Sequence, residues 1–381
     1  MYKELRDLLS DPWLTSLVTW LPLLVMSLMG WIFIEGIATE LPIGVVDLDK
    51  GRASRTLIRH YDVSPSLSVR TDFLDQNEGV AALRAGKIYG LVILPAGLEK
   101  ETILGRPPQV TAFVNNQFLL IGKIINSALL EAQGTFTAEV EVLENISRSA
   151  PVFSMAFASA IPIGSQMTPL FNIAKNYGQF LLPAIFPALW QIVMVVATVL
   201  FLASSHRLYG LSTWLGSRPF SQLFRKLVFF SFIFMVHGAF FLAAMYVWLD
   251  WPMQGSWVVL LVAQYLTVWA SMAVGCLIYL ITRDAARGLS MAAAYTAPAL
   301  AFMGVTFPVS DMTLPARLWR TLIPISHYIE IQFAQVNYGA PFALVIHQFL
   351  LLGVFGLVLV LCFILTWKIA AGSKNYVEEP A

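Results

Sequence analysis

Cysteine is almost absent from this chain of 381 residues: Cys276 and Cys362 are the only two, and both fall in apolar runs. Two thiols cannot build a disulfide framework or a four-ligand zinc site. Within a membrane span they read as small packing residues, with no disulfide expected between them. Charge is also scarce, at 12% of residues against about 25% in an ordinary soluble domain. The net charge of +1 gives no basic field, so nucleic acid is not an expected partner. No G-x-x-x-x-G-K-[ST], H-E-x-x-H, C-x-x-C or G-x-S-x-G occurs. Hydrolysis of ATP at a phosphate loop, zinc-protease chemistry and a hydrolase elbow are therefore not expected, and catalytic residues are read as none.

Apolar residues are abundant, at 57%, and mean hydropathy is +0.70. Six runs contain no Asp, Glu, Lys or Arg: Pro12–Ile34, Asn176–His206, Leu227–Leu249, Trp251–Thr282, Gly288–Ser310 and Ile331–Trp367. Each exceeds the roughly 18–20 residues that cross about 30 Å of hydrocarbon. A single charge at a span centre costs about 2.5–3.5 kcal/mol on insertion scales, which explains the exclusion. Spans are expected near 13–34, 178–203, 227–249, 258–281, 288–308 and 343–367. The first is too long for a signal-peptide core and lacks a small-x-small cleavage site at Ile34–Leu41, so it reads as a retained span. With the N-terminus inside, the short inner segments hold ten Lys and Arg, and the short outer ones only Arg317 and Arg320. The positive-inside rule then puts both termini in the cytoplasm.

The expected fold is a membrane all-α bundle of six transmembrane helices with an inserted α/β periplasmic domain. Residues 1–34 hold an amphipathic N-terminal helix and the first span, and residues 35–175 the periplasmic domain. Residues 176–381 hold five further spans and an inner loop at 206–226. The domain reads as strands at Pro42–Leu48, Ile88–Leu94 and Val110–Val114, helices at Ala53–His60 and Asn77–Ala85, and a long amphipathic helix at 117–146. Pro151–Asn172 reads as a connector. Residues 1–11 place Tyr2, Leu5, Leu8 and Leu9 on one helical face, an interfacial anchor or a docking helix. The loop 206–226 carries four basic residues outside its histidine and no acidic one. Thr306–Pro341, with Pro308, Pro315, Pro324 and Pro341, reads as a re-entrant or interfacial turn with a short helix at Leu314–Ile323.

Candidate chemistry is sparse. The five histidines are scattered, which argues against a zinc site, and metal ligands are read as none. Asp47 and Asp49 end a strand before Lys50-Gly51, where a turn and helix cap is favoured over a cation site. Ser310-Asp311 and Ser326-His327 are adjacent in sequence, but a triad is a matter of geometry. Within the spans, Gln191, His237, Gln264 and Ser271 are the notable polar residues. They serve either interhelical hydrogen bonding or the lining of a translocation path.

Three stretches carry a family likeness: Ile43–Ile58 (IGVVDLDKGRASRTLI), Ala81–Gln117 (AALRAGKIYGLVILPAGLEKETILGRPPQVTAFVNNQ) and Gly304–Tyr328 (GVTFPVSDMTLPARLWRTLIPISHY). With the span order, they resemble the permease subunits of type 2 ATP-binding-cassette (ABC) exporters, in the subgroup with a large periplasmic domain after the first span. The resemblance implies a bacterial inner-membrane permease that moves a drug, lipid or similar amphiphilic substrate outward. It implies an ABC ATPase partner, a second permease copy or paralogue, and contact with an adaptor protein in the periplasm. No cofactor is expected on this chain; ATP and Mg act through the partner. Tyr209, Gly210, Leu211, Trp214, Arg218 and Pro219 then fall in the ATPase-coupling loop. The loop departs from the family pattern in lacking acidic residues. An alternative is a non-transporting subunit that relays ATPase motion to the periplasm. An ion-coupled carrier is disfavoured, because no carboxylate lies inside a span.

Overall fold

A computed structural model describes the chain except for residues 1, 34, 35, 37, 105, 107, 149–171, 173–175, 216, 217, 306 and 376–381. The expected connector at 151–172 lies outside the described residues apart from Asn172. The chain divides into two compact units, Met1–Gly36 with Leu170–Ala381, and Ile37–Pro169.

The Ile37–Pro169 unit is built on a sheet of four strands: β1 (Leu41–Asp47), β2 (Leu67–Arg70), β3 (Gly90–Leu94) and β4 (Thr111–Val114). Their order is β2-β1-β3-β4, with β1 parallel to both neighbours and β4 antiparallel to β3. Central strands of a parallel sheet are covered on both faces and therefore run continuously apolar. β1 obeys this: Ile43 and Val45 pack with Leu57, Tyr61 and Ile125, whereas Val46 packs with Ala82, Ile88 and Leu91. The covering helices are Arg52–Val63, Gln76–Arg84, Leu98–Ile103 and the 30-residue Leu119–Arg148. Three strands stand where the sequence places them, while β2, only four residues long, was not expected.

The other unit is helical. It begins with α1 (Tyr2–Leu9), α2 (Pro12–Val18) and α3 (Trp20–Ile32), the last two meeting at a 42° bend. With the four helices of the sheet unit as α4–α7, the chain continues through α8 (Tyr177–Tyr209), α9 (Leu211–Leu215) and α10 (Pro219–Ala243), which runs on through a π-helical turn to Trp248. Then come α11 (Trp257–Thr282), α12 (Ala285–Thr296), α13 (Ala299–Phe302), α14 (Leu314–Thr321), α15 (Pro324–Tyr338) and α16 (Phe342–Asn375). Among the described residues, four helices are long and apolar enough to cross a membrane, or five if the bent pair α2–α3 is one span. At 1.5 Å per residue, the 33 residues of α8 reach about 50 Å, well beyond the hydrocarbon core.

The span expected at 288–308 needs correction, because that run is not one helix. Absence of charge fixes the solvent, not the backbone. Pro298 has no N–H and ends the helix, and Gly304 turns the chain at φ +89°. The longer segment from Arg283 to Gln335 nevertheless runs from one end of α11 to the other. Arg283 caps the C-terminus of α11, whereas Ser256 at its N-terminus donates its backbone N–H to Gln335 Oε1 on α15, at 2.9 Å. The short helix expected at Leu314–Ile323 is present as α14.

Candidate functional site: the basic end of the bundle and its buried polar residues

Helices α8 and α10 bring their ends together around the loop 206–226. Gly210 takes φ +70° and ψ 159°, a conformation open to glycine alone, and lets the chain leave α8 sharply into α9. Trp214 and Leu215 of α9 are buried, and the Trp214 ring meets Tyr279 of α11 edge to face. Tyr279 donates to or accepts from His206 Nδ1 at 2.8 Å. Arg218 is exposed and stands at the N-cap of α10, with Pro219 as the first helical residue, where its missing N–H costs nothing. Leu211 opens α9.

The acidic residues missing from this loop come from α1 and the residue ahead of α2. Glu4 Oε1 accepts from Arg225 Nε at 2.7 Å, and Asp7 Oδ1 accepts from the Tyr209 hydroxyl at 2.5 Å. Asp7 Oδ2 lies 3.9 Å from Lys226 Nζ, which also donates to Ser205 Oγ at 2.9 Å. Asp11 Oδ2 accepts from Arg207 at 3.2 Å, and Lys3 sits 4.2 Å over the Tyr209 ring. Donation to Asp7 raises the Tyr209 pKa above the ordinary phenol value, with burial adding to it. Glu4, Asp7 and Leu8 are buried, while Tyr2, Leu5 and Leu9 are exposed. The apolar face expected to seat α1 therefore splits: Leu8 faces protein, and the rest faces outward, as a surface helix at a membrane does.

The four polar span residues lie in the bundle as follows. Gln191 Oε1 accepts the Ile325 N–H at 2.9 Å. Ile325 is in the first turn of α15, whose N–H groups have no helical partner, so Gln191 caps a buried helix end. Gln264 Nε2 donates to the Gly238 carbonyl at 2.9 Å and to the Tyr328 hydroxyl at 3.2 Å. His237 precedes that glycine on α10 and is buried, as is Ser271, two turns along α11 from Gln264. Gln191 and Gln264 thus meet the first turns of α15, whereas His237 lines the side of α10 toward Thr19 and Leu23, and Ser271 stands apart. Sequence reasoning missed Gln332. Its Nε2 donates to the Pro183 carbonyl at 3.0 Å and to Tyr246 at 3.2 Å. Pro187 lacks the N–H that would have bonded that carbonyl, so Gln332 replaces a lost helix bond. Two prolines four apart within a span were the signal. Gln191→Leu is expected to orphan the Ile325 N–H and cost about 1–3 kcal/mol, read as a lower unfolding temperature.

Nearer the far end of α11, Arg320 bonds Glu330, which also accepts from Gln348, and His327 Nδ1 pairs with Gln348 Oε1 at 2.7 Å. Ser326 and His327 form no triad there. In the sheet unit, Asp47 accepts from the backbone N–H groups of Asp49 and Lys50 and from Ser54 Oγ, and Asp49 accepts from Glu99 N–H. Both carboxylates thus hold a turn and the helix starts beside it. Among the described residues no group of three or more His, Cys, Asp or Glu forms a metal site. Cys276 and Cys362 are buried free thiols that lie against each other.

An apolar helix bundle with a charged platform at one end is the form of a membrane transport subunit. The chain belongs to the ABC-2 transporter family: the profile described as "ABC-2 family transporter protein" matches residues 12–366. It is 23% identical over 357 residues to the "Probable multidrug ABC transporter permease YbhS" of Escherichia coli (strain K12), covering 92% of this chain and 91% of that protein. The protein of that name in Escherichia coli O157:H7 matches equally. The chain is therefore a membrane-embedded transporter permease subunit, and its family implies an ABC ATPase as a separate partner.

Proposed function

We propose that this permease subunit moves an amphiphilic or hydrophobic substrate outward across a bacterial inner membrane, driven by ATP and Mg bound at a partner ATPase. The single observation that carries the coupling is the ionic clamp of α1 on the loop 206–226. A motor pressing on that platform meets one rigid body rather than a free loop. Rigidity is what lets a nucleotide state bias two arrangements of a bundle. In this reading the platform and both termini are cytoplasmic. The chain crosses six times, once by the bent pair α2–α3 and once by the broken segment α12–α15. Residues 35–175 then face the periplasm, where they gate release or meet an adaptor. The path runs along Gln191, His237, Gln264 and Ser271, completed by a second permease copy or paralogue. The name of the Escherichia coli relatives, a probable multidrug permease, supports a drug as cargo.

The test is substrate-stimulated ATP hydrolysis by the reconstituted complex. Gly210→Pro and Trp214→Glu are expected to abolish the stimulation while leaving the ATPase alone active. Unchanged stimulation would remove the platform from the mechanism. A second reading, a non-transporting relay, is favoured by one observation: Gln191 and Gln264 are already bonded to neighbouring helices. Directional, ATP-dependent uptake into sealed inside-out vesicles separates the two, since a relay moves no substrate.

A further inference from the structure

In the sheet unit β1, β2 and β3 run parallel, so their carboxyl ends share one end of the sheet. The chain leaves two of them toward opposite faces. After β1 it enters α4, whose Leu57 and Tyr61 pack on the face of Ile43 and Val45; after β2 it enters α5, whose Ala82 packs on the face of Val46. Connections that part in this way open a crevice outside the strand ends, where parallel sheets bind ligands. A cavity of about 480 Å³ lies there. Asp47, Lys50, Arg55 and Ile58 line it from β1 and α4, and Thr71 and Phe73 from the turn after β2. Phe73 is held over Gly44, where a Cβ would come within 2.8 Å of its ring. The first four residues lie within Ile43–Ile58, a stretch to which neither the platform nor the buried polar residues of the bundle give a role.

The charges of this cavity are unequally engaged. Asp47 is taken up by the turn: Oδ1 accepts the N–H groups of Asp49 and Lys50 at 3.0 and 2.9 Å, and Oδ2 accepts Ser54 Oγ at 2.8 Å. Arg55 Nε donates to the Gly51 carbonyl at 3.0 Å, which anchors the guanidinium beside the turn and leaves its two terminal nitrogens. Among the described residues, neither Lys50 nor Arg55 forms an ion pair with a carboxylate. Two cations against one carboxylate leave a single excess positive charge, which matches a monoanion rather than an amine or a dianionic phosphate. A guanidinium fork suits two oxygens on one atom. We propose that this cavity binds a small organic carboxylate, its apolar body between Ile58 and Phe73 and its two oxygens held by Arg55 and Lys50. The volume lies within the range of small-molecule pockets, about 300–1,000 Å³. The acid can be free in solution or a fatty acid of the bilayer.

Photolabelling of the purified full chain in phosphatidylcholine nanodiscs tests the site without an ATPase, so a failure of the transport reading leaves it untouched. The probes are 4-benzoylbenzoate and its uncharged amide, 4-benzoylbenzamide. The carboxylate is expected to label peptides containing residues 47–58 and 71–74 about tenfold more than the amide, as two exposed ion pairs allow. The double variant Lys50→Asn/Arg55→Gln is expected to lower labelling by the carboxylate to the level of the amide, which itself stays unchanged. Asparagine is chosen because Lys50 stands at φ +54°, a conformation it tolerates. Arg55→Lys in an otherwise native chain keeps the charge and is expected to retain the preference for the carboxylate. Leu74→Trp serves if the double variant does not fold: Leu74 lines the mouth and is 87% exposed, so the larger ring narrows the entrance and is expected to block both probes. Equal labelling by carboxylate and amide, or wild-type labelling in the double variant or in Leu74→Trp, overturns the proposal. Competing acids then assign the source. Loss of labelling on adding benzoate marks a soluble acid, and loss only with oleate in the nanodisc marks a fatty acid.

Discussion

Asp7→Ala is expected to free α1 from the basic end of the bundle. Asp7 accepts the Tyr209 hydroxyl and faces Lys226, and both charged side chains are almost fully buried, at 4% and 3% exposure. Their attraction barely offsets the desolvation of two ions, so the pair adds little net stability. Removing one partner is different, because it strands the other charge. Lys226 would keep Ser205 Oγ, the face of Phe201 at 4.5 Å and the more distant attraction of Glu4. The expected loss is about 3–5 kcal/mol, read as faster hydrogen exchange across residues 2–9 and a lower unfolding temperature. The double variant Asp7→Ala/Lys226→Met removes the stranded charge and is expected to recover more than half of that loss. Additive losses would mean the two residues do not interact.

Gly275→Leu is expected to leave no folded chain in detergent. A Cβ at Gly275 meets the Val195 carbonyl oxygen at 2.7 Å and Thr198 Cβ at 3.0 Å. These are backbone and β-carbon atoms of α8, which cannot swing aside. Small residues at such crossings let helix backbones approach without a hydrophobic drive, which lipid removes. Even Gly275→Ala is expected to cost about 1–3 kcal/mol. Gly353 and Gly356 of α16 are the contrast, since a Cβ at either meets nothing within 4 Å. Gly353→Ala should be neutral or mildly stabilising through helix propensity. Size-exclusion profiles and unfolding temperatures of the three single variants decide the matter. A monodisperse, stable Gly275→Leu protein would show that α8 and α11 do not pack this closely.

The long helices and three of the four strands could be read from the sequence because each rests on a local, repeated pattern. Charge exclusion marks hydrocarbon, and short β-branched runs between turns mark strands. β2, the four residues LSVR, is too short for such a pattern. The run 288–310 misled because Pro298, Gly304 and Pro308 decide the backbone there, whatever the solvent. The loop 206–226 could be recognised by its basic residues, but its acidic partners could not. They sit some 200 residues away, Glu4 and Asp7 on α1 and Asp11 ahead of α2, and the spacing of Leu5 and Leu9 marks the opposite face of α1. The i, i+3, i+7 spacing of Glu4, Asp7 and Asp11 was the available signal. Gln191 and Gln332 show the same limit: which orphaned backbone group each satisfies is a tertiary fact.

The central claim is that the platform and the sheet unit lie on opposite sides of the membrane, so that a motor on one side drives events on the other. Single cysteines at Arg84 and Arg218, in a background where Cys276 and Cys362 are replaced by Ala, test this with a membrane-impermeant maleimide on intact and permeabilised spheroplasts. The account expects Arg84→Cys to react in intact spheroplasts and Arg218→Cys to react only after permeabilisation. Reaction of both under the same condition would contradict it.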